Sequence, residues 1–464
     1  MIANLIYWIT QKKWLIIATT FGFFLYIIPT PQGLSINGYH TLIIVAVALI
    51  LIIFEPVPLP AVAFFILFMQ VIITDATPNE VASSFMSDAV FFIMGSLMLA
   101  VAIVKQGLDK RLALGIIRTT GNKTWRIVAG FTAISAILSS FIGEHTVAAM
   151  MMPVGLTLIR NTSKDPSKII KLSSILLFSI AYGATIGSVG TPSGGGRNVI
   201  MLEYWSDFGI GNISYLTWMK YAYPMVILQI PLTVLILWWT FTPEKKTIDT
   251  GVRKLVIQVA KSGKMNGKQI LSIFLFVLVF IGWIFFGEKI GLGFVALIGV
   301  FLYLIFGLVE WSDLNRSTNW GVILLFGATI SIGLAMKKTG AAEWLAMGAL
   351  NTLNSFFHNI DYSRAGIAVI LTGVLSNILS SSATIAVVGP IVLNLGGDPV
   401  LLGFATAIAS AFGYFTVVAS PACMIIYSSG MVKTKDFLRA GWKMGIMSVF
   451  MLFLVSFFWW PFLQ

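Results

Sequence analysis

The chain has 464 residues, of which 58% are hydrophobic and 10% charged, and its net charge is +12. That apolar excess excludes a soluble or disordered chain, and the long unbroken apolar runs exclude a transmembrane barrel with period-2 alternation. What is left is an all-α polytopic membrane protein, and its single Cys423 excludes an internal disulfide framework.

Residues 1–10 read as an interfacial helix ahead of Lys12 and Lys13. Spans are expected at 14–29, 42–54, 60–73 and 90–104. The first is long enough to stay as an anchor and lacks a small-x-small cleavage site. Residues 127–142 and 147–159 are apolar arms separated by Gly143-Glu144-His145-Thr146. At ~1.5 Å per residue they reach ~24 and ~20 Å, short of the ~30 Å of bilayer hydrocarbon. They therefore predict a re-entrant hairpin, 127–159, with an acid and a histidine at its tip. A helix over 172–205 follows. It is broken between Gly187 and Asn198, a stretch that holds Thr191, Pro192, Ser193, Gly194, Gly195, Gly196 and Arg197. Polar backbone at that depth is tolerated only against protein or a cavity. A span at 221–241 closes the first half.

The basic stretch 244–268 links the halves as a cytoplasmic helix or linker. Spans at 270–286, 292–309 and 322–336 come next, then a second hairpin, 365–395, with arms 365–379 and 383–395. A second broken helix, 401–431, is interrupted around Ala419-Ser420-Pro421-Ala422-Cys423, and the last span is 444–460. Trp459 and Trp460 read as an interfacial belt. Each broken helix counts as one crossing and each hairpin as none, which makes eleven crossings. With the amino terminus inside, 24 of the 30 basic residues are cytoplasmic, five are outside, and Arg197 lies in the membrane. This satisfies the positive-inside rule, places the carboxyl terminus outside, and explains the charge with no nucleic-acid partner. Gly107, Pro153 and Thr191-Pro192 recur in order as Gly340, Pro390 and Ser420-Pro421, entering from the other side. That is an inverted repeat, and paired broken segments of this kind mark transport sites.

The chemistry starts from backbone. The second arm of each hairpin begins at the tip, and each broken helix restarts after its break. Four helix amino termini, with unpaired N–H groups and positive dipole ends, suit a small dianion. Ser380, Ser381 and Ser382 at the second tip offer hydroxyls to a carboxylate, and ordinary N-capping is the other role open to them. A midplane arginine is expensive and usually functional, so Arg197 either clamps a carboxylate or serves as the fixed partner of Glu144. His145 is a ligand, a proton carrier, a structural cation or simply a satisfied packing residue. Glu144, ionised and unpaired, would repel a dianion; pairing with Arg197 or His145 is preferred over protonation. The glycine run lets backbone approach a ligand but is no phosphate loop, since no Lys-Ser or Lys-Thr follows it. Met150-Met151-Met152 reads as packing. A membrane hydrolase would need more midplane His, Asp or Glu than these two, and nothing suggests the ring of a channel filter.

Ala148-Ala149-Met150-Met151-Met152-Pro153, Thr191-Pro192 and Leu438-Arg439-Ala440-Gly441-Trp442 give the chain a resemblance, over nearly its whole length, to the divalent-anion/sodium symporter (DASS) family of INDY-type dicarboxylate transporters. The family carries Ser-Asn-Thr at each tip and a Thr-Pro-Pro-Asn-like element at each break, which hold sodium and substrate carboxylates. Here the tips read Gly143-Glu144-His145 and Ser380-Ser381-Ser382. Glycines and Arg197 precede Asn198 at the first break, and Cys423 stands where an asparagine would be at the second. The resemblance implies a homodimer in the cell membrane and an elevator-like mechanism. Scaffold parts would be 1–126 and 270–360, transport parts 127–241 and 361–464, with a cytoplasmic basic linker at 242–269. With both tip asparagines gone and cationic side chains nearby, the sequence points to sodium-independent exchange of dicarboxylates such as 2-oxoglutarate, malate and succinate. The alternative is a sodium- or proton-coupled symporter of di- or tricarboxylates. No cofactor or resident metal is expected. The binding set is Glu144, His145, Thr146, Thr191, Pro192, Ser193, Gly194, Gly195, Arg197, Asn198, Ser380, Ser381, Ser382, Ser420 and Pro421.

Overall fold

A computed structural model of the chain describes residues 12–108, 111, 120–163, 165–253, 264–353, 360–417 and 419–463. The first half holds α1 (Lys13–Ile27), α2 (Ile36–Phe54), α3 (Leu59–Ile73), the short α4 (Pro78–Phe85) and α5 (Asp88–Lys105). Then come α6 (Thr124–Ile142) and α7 (Glu144–Thr162), α8 (Ile170–Gly187) and α9 (Gly196–Asp207), and α10 (Tyr215–Thr240). The second half holds α11 (Gly267–Phe285), α12 (Gly287–Ile290), α13 (Leu292–Ile305), α14 (Trp311–Ser317) and α15 (Trp320–Lys338). It ends with α16 (Ala341–Leu353), α17 (Ile360–Leu375), α18 (Ser381–Leu393), α19 (Pro399–Ala409), α20 (Pro421–Ser428) and α21 (Thr434–Phe458). Among the described residues the fold is all-helical apart from one isolated bridge, Lys123 to Thr247. Eight of these helices are long and apolar enough to cross a membrane.

Local sequence sets the ends. Ser35 caps α2 by accepting from Gly38 N–H, and Thr77 with Glu80 forms a capping box on α4. Asn266 and Gln269 do the same for α11. Between membrane helices burial of apolar area gives no drive, so close packing of small residues takes over. The tightest case is α8 on α6. A Cβ on Gly187 would lie 2.0 Å from the Ala136 carbonyl oxygen, and one on Gly183 2.6 Å from that of Thr132. Helix α8 is accordingly the most enclosed of the long helices, 89% buried against 28% for α11.

Packing repeats between the halves. Helix α6 lies on α8 as α17 lies on α19, and α3 meets α15 as α13 meets α5. The second arms also reach across: α7 packs on α20 as well as on its own α8, and α18 packs on α9 as well as on its own α19. Each hairpin therefore joins the broken helix of the other half, which brings both tips and both breaks to one place.

Several expectations need correction. The arms of the first hairpin are 19 residues each, ~28 Å: Thr124 to Arg126 extend the first at its outer end, and Glu144 to Thr146 and Arg160 to Thr162 extend the second at both ends. Their length alone therefore does not prevent a crossing. The chain turns back because Gly143, at φ 83°, is the only residue between them. The second break runs from Ser410 to Ser420, starting about ten residues before the expected point, since small apolar residues there hid the end of α19. The short helices α4, α12 and α14, and α16, fall where connections were expected. The 242–269 stretch is no free tether at its start. Glu244 accepts from Lys171 and Leu172 N–H at 2.9 Å each, capping α8, and Lys245 and Lys246 carbonyls bind Thr124. Residues 1–10 and 254–263, where an interfacial helix and the rest of the linker were expected, lie outside the described residues.

Candidate functional site

The first break is held by side chains that spend their hydrogen bonds on the surrounding protein. Asn198 Nδ2 donates to the Ser188 and Thr191 carbonyls at 2.8 and 2.7 Å, clamping the loop into a ring. Tyr215 reaches Thr191 Oγ1 at 2.9 Å and Ser193 Oγ at 2.7 Å, and Thr191 Oγ1 also donates to the Ser140 carbonyl. Glycines serve close approach here, not flexibility. A Cβ on Gly194 would sit 2.4 Å from the Ser188 carbonyl oxygen, and one on Gly196 2.2 Å from the Phe326 ring.

At the first tip Glu144 begins α7 and is 6% exposed. Arg197, at the start of α9, is 2% exposed, and its Nη2 lies 3.7 Å from Glu144 Oε2. The same nitrogen donates to Ser188 Oγ, which stands 3.3 Å from that carboxylate oxygen. Arg197 Nε is buried with no partner among the described residues. His145 is half-buried, with Nε2 3.3 Å from Thr146 Oγ1.

At the second tip Ser380 caps α18 through a 3.4 Å contact from Ala383 N–H, and Ser381 Oγ donates to the Ala419 carbonyl at 3.4 Å. Asn377 is the brace. Its Nδ2 donates to the Gly373 and Phe412 carbonyls at 2.7 and 3.2 Å, and its Oδ1 accepts from Phe415 N–H at 2.9 Å. It ties tip to break as Asn198 ties the first loop. At the second break Ser420 caps α20 and lies 3.1 Å from Thr185 Oγ1.

These pieces enclose a cavity of about 400 Å³. Its wall includes Glu144 and His145, Pro192 to Arg197, Ser380 to Ser382, and Pro421 with Met424. Each group contains the first residues of one helix: α7, α9, α18 and α20. All four amino termini therefore contribute to the same chamber. The opposite wall is Phe92, Ile93 and Leu97 of α5, and Val322, Leu325 and Phe326 of α15, with exposed Glu55 and Asn319 at the mouth. Thr146, Thr191, Asn198 and Ser420, expected to touch substrate, are not on the cavity wall; the last three are fully buried and hold the frame. The residues missed by sequence reasoning are that far wall and Asn377. For Asn377 the signal was present, an asparagine near the inner end of the apolar arm 365–379. For the wall there was none, since its apolar residues look like any span.

A family model described as the sodium:sulfate symporter transmembrane region matches residues 10–464. The chain belongs to this family. It is a family of membrane transporters, not of enzymes. Among curated relatives, the sodium-dependent dicarboxylate transporter SdcS of Staphylococcus saprophyticus is 26% identical over 455 residues, covering 92% of this chain and 87% of the relative. The sodium-dependent high-affinity dicarboxylate transporter 3 of Caenorhabditis elegans is 27% identical over 460 residues, covering 86% and 79%. The crystal structure of the Alcanivorax borkumensis YdaH transporter, described as having an unusual topology, aligns at 12% identity with a TM-score of 0.54. It covers 84% of this chain and 89% of that one, a likeness of fold alone.

Chemically the chamber can neutralise an anion through four helix ends, each worth about half a positive charge. The fixed side-chain charges do less than the sequence suggests. The sodium-independent reading leans on cationic side chains near the tips, Arg197 first among them. The Arg197 guanidinium is instead opposed by Glu144 at 3.7 Å, so the pair adds no net charge.

Proposed function

We infer that this chain is a secondary transporter of small dicarboxylates, working as a cation-coupled symporter in the cell membrane. The observation that carries it is the convergence of four helix amino termini on one chamber whose only buried ion pair, among the described residues, is internally neutral. Helix-end fields fall off within the first turn and hold a charge by only about 0.3–1 kcal/mol each, well below the cost of desolvating two carboxylates, so a co-transported cation supports the bound dianion. The names of the two relatives, both sodium-dependent dicarboxylate transporters, support symport over sodium-independent exchange.

Exchange is the second reading. Its support is the absence of asparagine at Glu144-His145 and Ser380-Ser381-Ser382, with Arg197 beside the first tip. Proteoliposomes separate the two. Symport predicts accumulation of labelled succinate into empty vesicles when an inward cation gradient is imposed. Uptake that needs internal dicarboxylate and ignores sodium and pH gradients would refute it in favour of exchange.

The wider architecture belongs to the same proposal. The amino terminus is cytoplasmic, with eleven crossings and two re-entrant hairpins in an inverted repeat. Glu55 and Asn319 then put the mouth of the chamber on the cytoplasmic side. The hairpins, broken helices, α10 and α21 form a transport unit that slides, elevator-like, against a scaffold of the remaining spans. The scaffold joins two copies as a homodimer. Accessibility of single cysteines placed at Glu55 and Lys220 checks the sidedness.

A further inference from the structure

We propose that Glu144 is a proton carrier worked by Arg197: a substrate carboxylate takes the guanidinium, and Glu144, left without its cation, takes up a proton that crosses with the substrate. This rests on the dicarboxylate reading above and names a coupling ion for it.

Three features of the geometry carry it. The pair is reached through one nitrogen, Nη2, at 3.7 Å, which is an end-on contact and not the two-bond fork of which a guanidinium is capable. Nε of the same side chain is fully buried and has no hydrogen-bond partner among the described residues, although Arg197 lines the cavity. A buried charged donor left unmade is costly, so a substrate carboxylate that draws the guanidinium away from Glu144 and into the cavity replaces a poorly satisfied arrangement. Glu144 is itself 6% exposed and begins α7 on the same cavity wall.

The consequence is electrostatic. Removing the cation from a buried carboxylate leaves an uncompensated charge, and such a group neutralises itself by binding a proton. One O–H bond forms at Glu144, with the proton drawn from solution on the side where substrate enters. The acid then donates to Ser188 Oγ, already 3.3 Å away. When substrate leaves on the other side, the guanidinium returns and the proton is released there.

Other groups around Glu144 do not replace it in this role. Among the described residues these are Arg197 from α9, His145 beside it, Tyr414 from the second break and Cys423 from α20, with Glu55 at the mouth of the chamber. Ser188 and Thr185 of α8 add neutral hydroxyls. The ion pair of Glu144 is with Arg197, whereas His145 lies against Thr146.

The test is calorimetric titration of purified full-length protein with succinate, in two buffers of different ionisation enthalpy near pH 7. The expected result is about one proton taken up per succinate bound, and none in Glu144→Gln. In His145→Gln the proton count should match the wild type, whatever happens to affinity. Succinate binding with no proton uptake by the wild type, uptake that persists in Glu144→Gln, or its loss in His145→Gln would each overturn the assignment while leaving dicarboxylate binding intact. If succinate, malate and 2-oxoglutarate all fail to bind, the transport reading falls and this inference with it. If Glu144→Gln aggregates, infrared difference spectra of the wild type decide. Binding of ¹³C-labelled succinate must then raise a new unlabelled carboxylic-acid band, and its absence overturns the proposal.

Discussion

Arg197 and Glu144 face each other at 3.7 Å with side chains 2% and 7% exposed, one at the start of α9 and the other at the start of α7. Two positive helix ends would repel a second cation, so the arginine is tolerated because the glutamate stands beside it. Removing one partner of such a pair typically costs about 3–5 kcal/mol, whereas removing both leaves no buried charge. Arg197→Ala is therefore expected to lower the melting temperature in detergent and to abolish succinate uptake. The double variant Arg197→Ala with Glu144→Gln should melt above Arg197→Ala alone while remaining inactive. A double variant no more stable than the single one would show that the pair carries no coupling.

Asn198 presents a sharper substitution. Its Nδ2 serves two carbonyls, Ser188 and Thr191, and its Oδ1 has no partner among the described residues. Asn198→Ala removes both bonds and leaves two buried acceptors bare, a loss of about 1–3 kcal/mol for each group. Asn198→Asp keeps the shape but turns both contacts into oxygen facing oxygen. Thermal unfolding should rank wild type above Ala and Ala above Asp. A stable Asp variant would mean that the break is not held by this clamp.

How much of this was legible in the sequence follows from what each residue does. The breaks were legible because Gly187 to Asn198 cannot lie against lipid, and the tips because Glu144 and Ser380 interrupt apolar runs. The packing of second arms across the halves, α7 onto α20 and α18 onto α9, was not, since hydropathy records depth and not neighbours. The frame residues misled for a related reason. Thr191, Asn198 and Ser420 have the donors and acceptors of ligands, but they spend them on backbone carbonyls and hydroxyls that only coordinates reveal. Glu144 and Arg197 were correctly brought together, yet their mutual neutralisation removes the free positive charge on which the sodium-independent reading leaned.

Outside the spans, Glu80 on α4 accepts from Lys338 Nζ at 2.7 Å. That hydrogen bond, helped by those from Thr77, lowers its pKa from 4.5 to about 2. A carboxylate depressed in the folded state stabilises it above the unfolded value, and the contribution is lost as pH falls through the folded value. Both side chains are exposed, so the effect is small. The melting-temperature gap between wild type and Lys338→Met should be present above about pH 4.5 and close as the pH approaches about 2. A gap that does not change over that window would assign the role of Lys338 to packing alone.

The second tip separates capping from binding. Ser380 caps α18, a contribution of about 1 kcal/mol to the helix, and Ser382 lines the chamber beside it. A hydroxyl that donates to a charged carboxylate is worth about 1.5–3 kcal/mol, or roughly 10- to 150-fold in affinity. Ser382→Ala is therefore expected to raise KM for succinate by at least about tenfold with little change in melting temperature. Ser380→Ala should lower the melting temperature and shift KM less, because α18 still begins at the same place and its N–H groups still face the substrate. If the two variants instead behave alike in both measurements, the serines act only as a cap, and the carboxylate at this end is held by backbone alone.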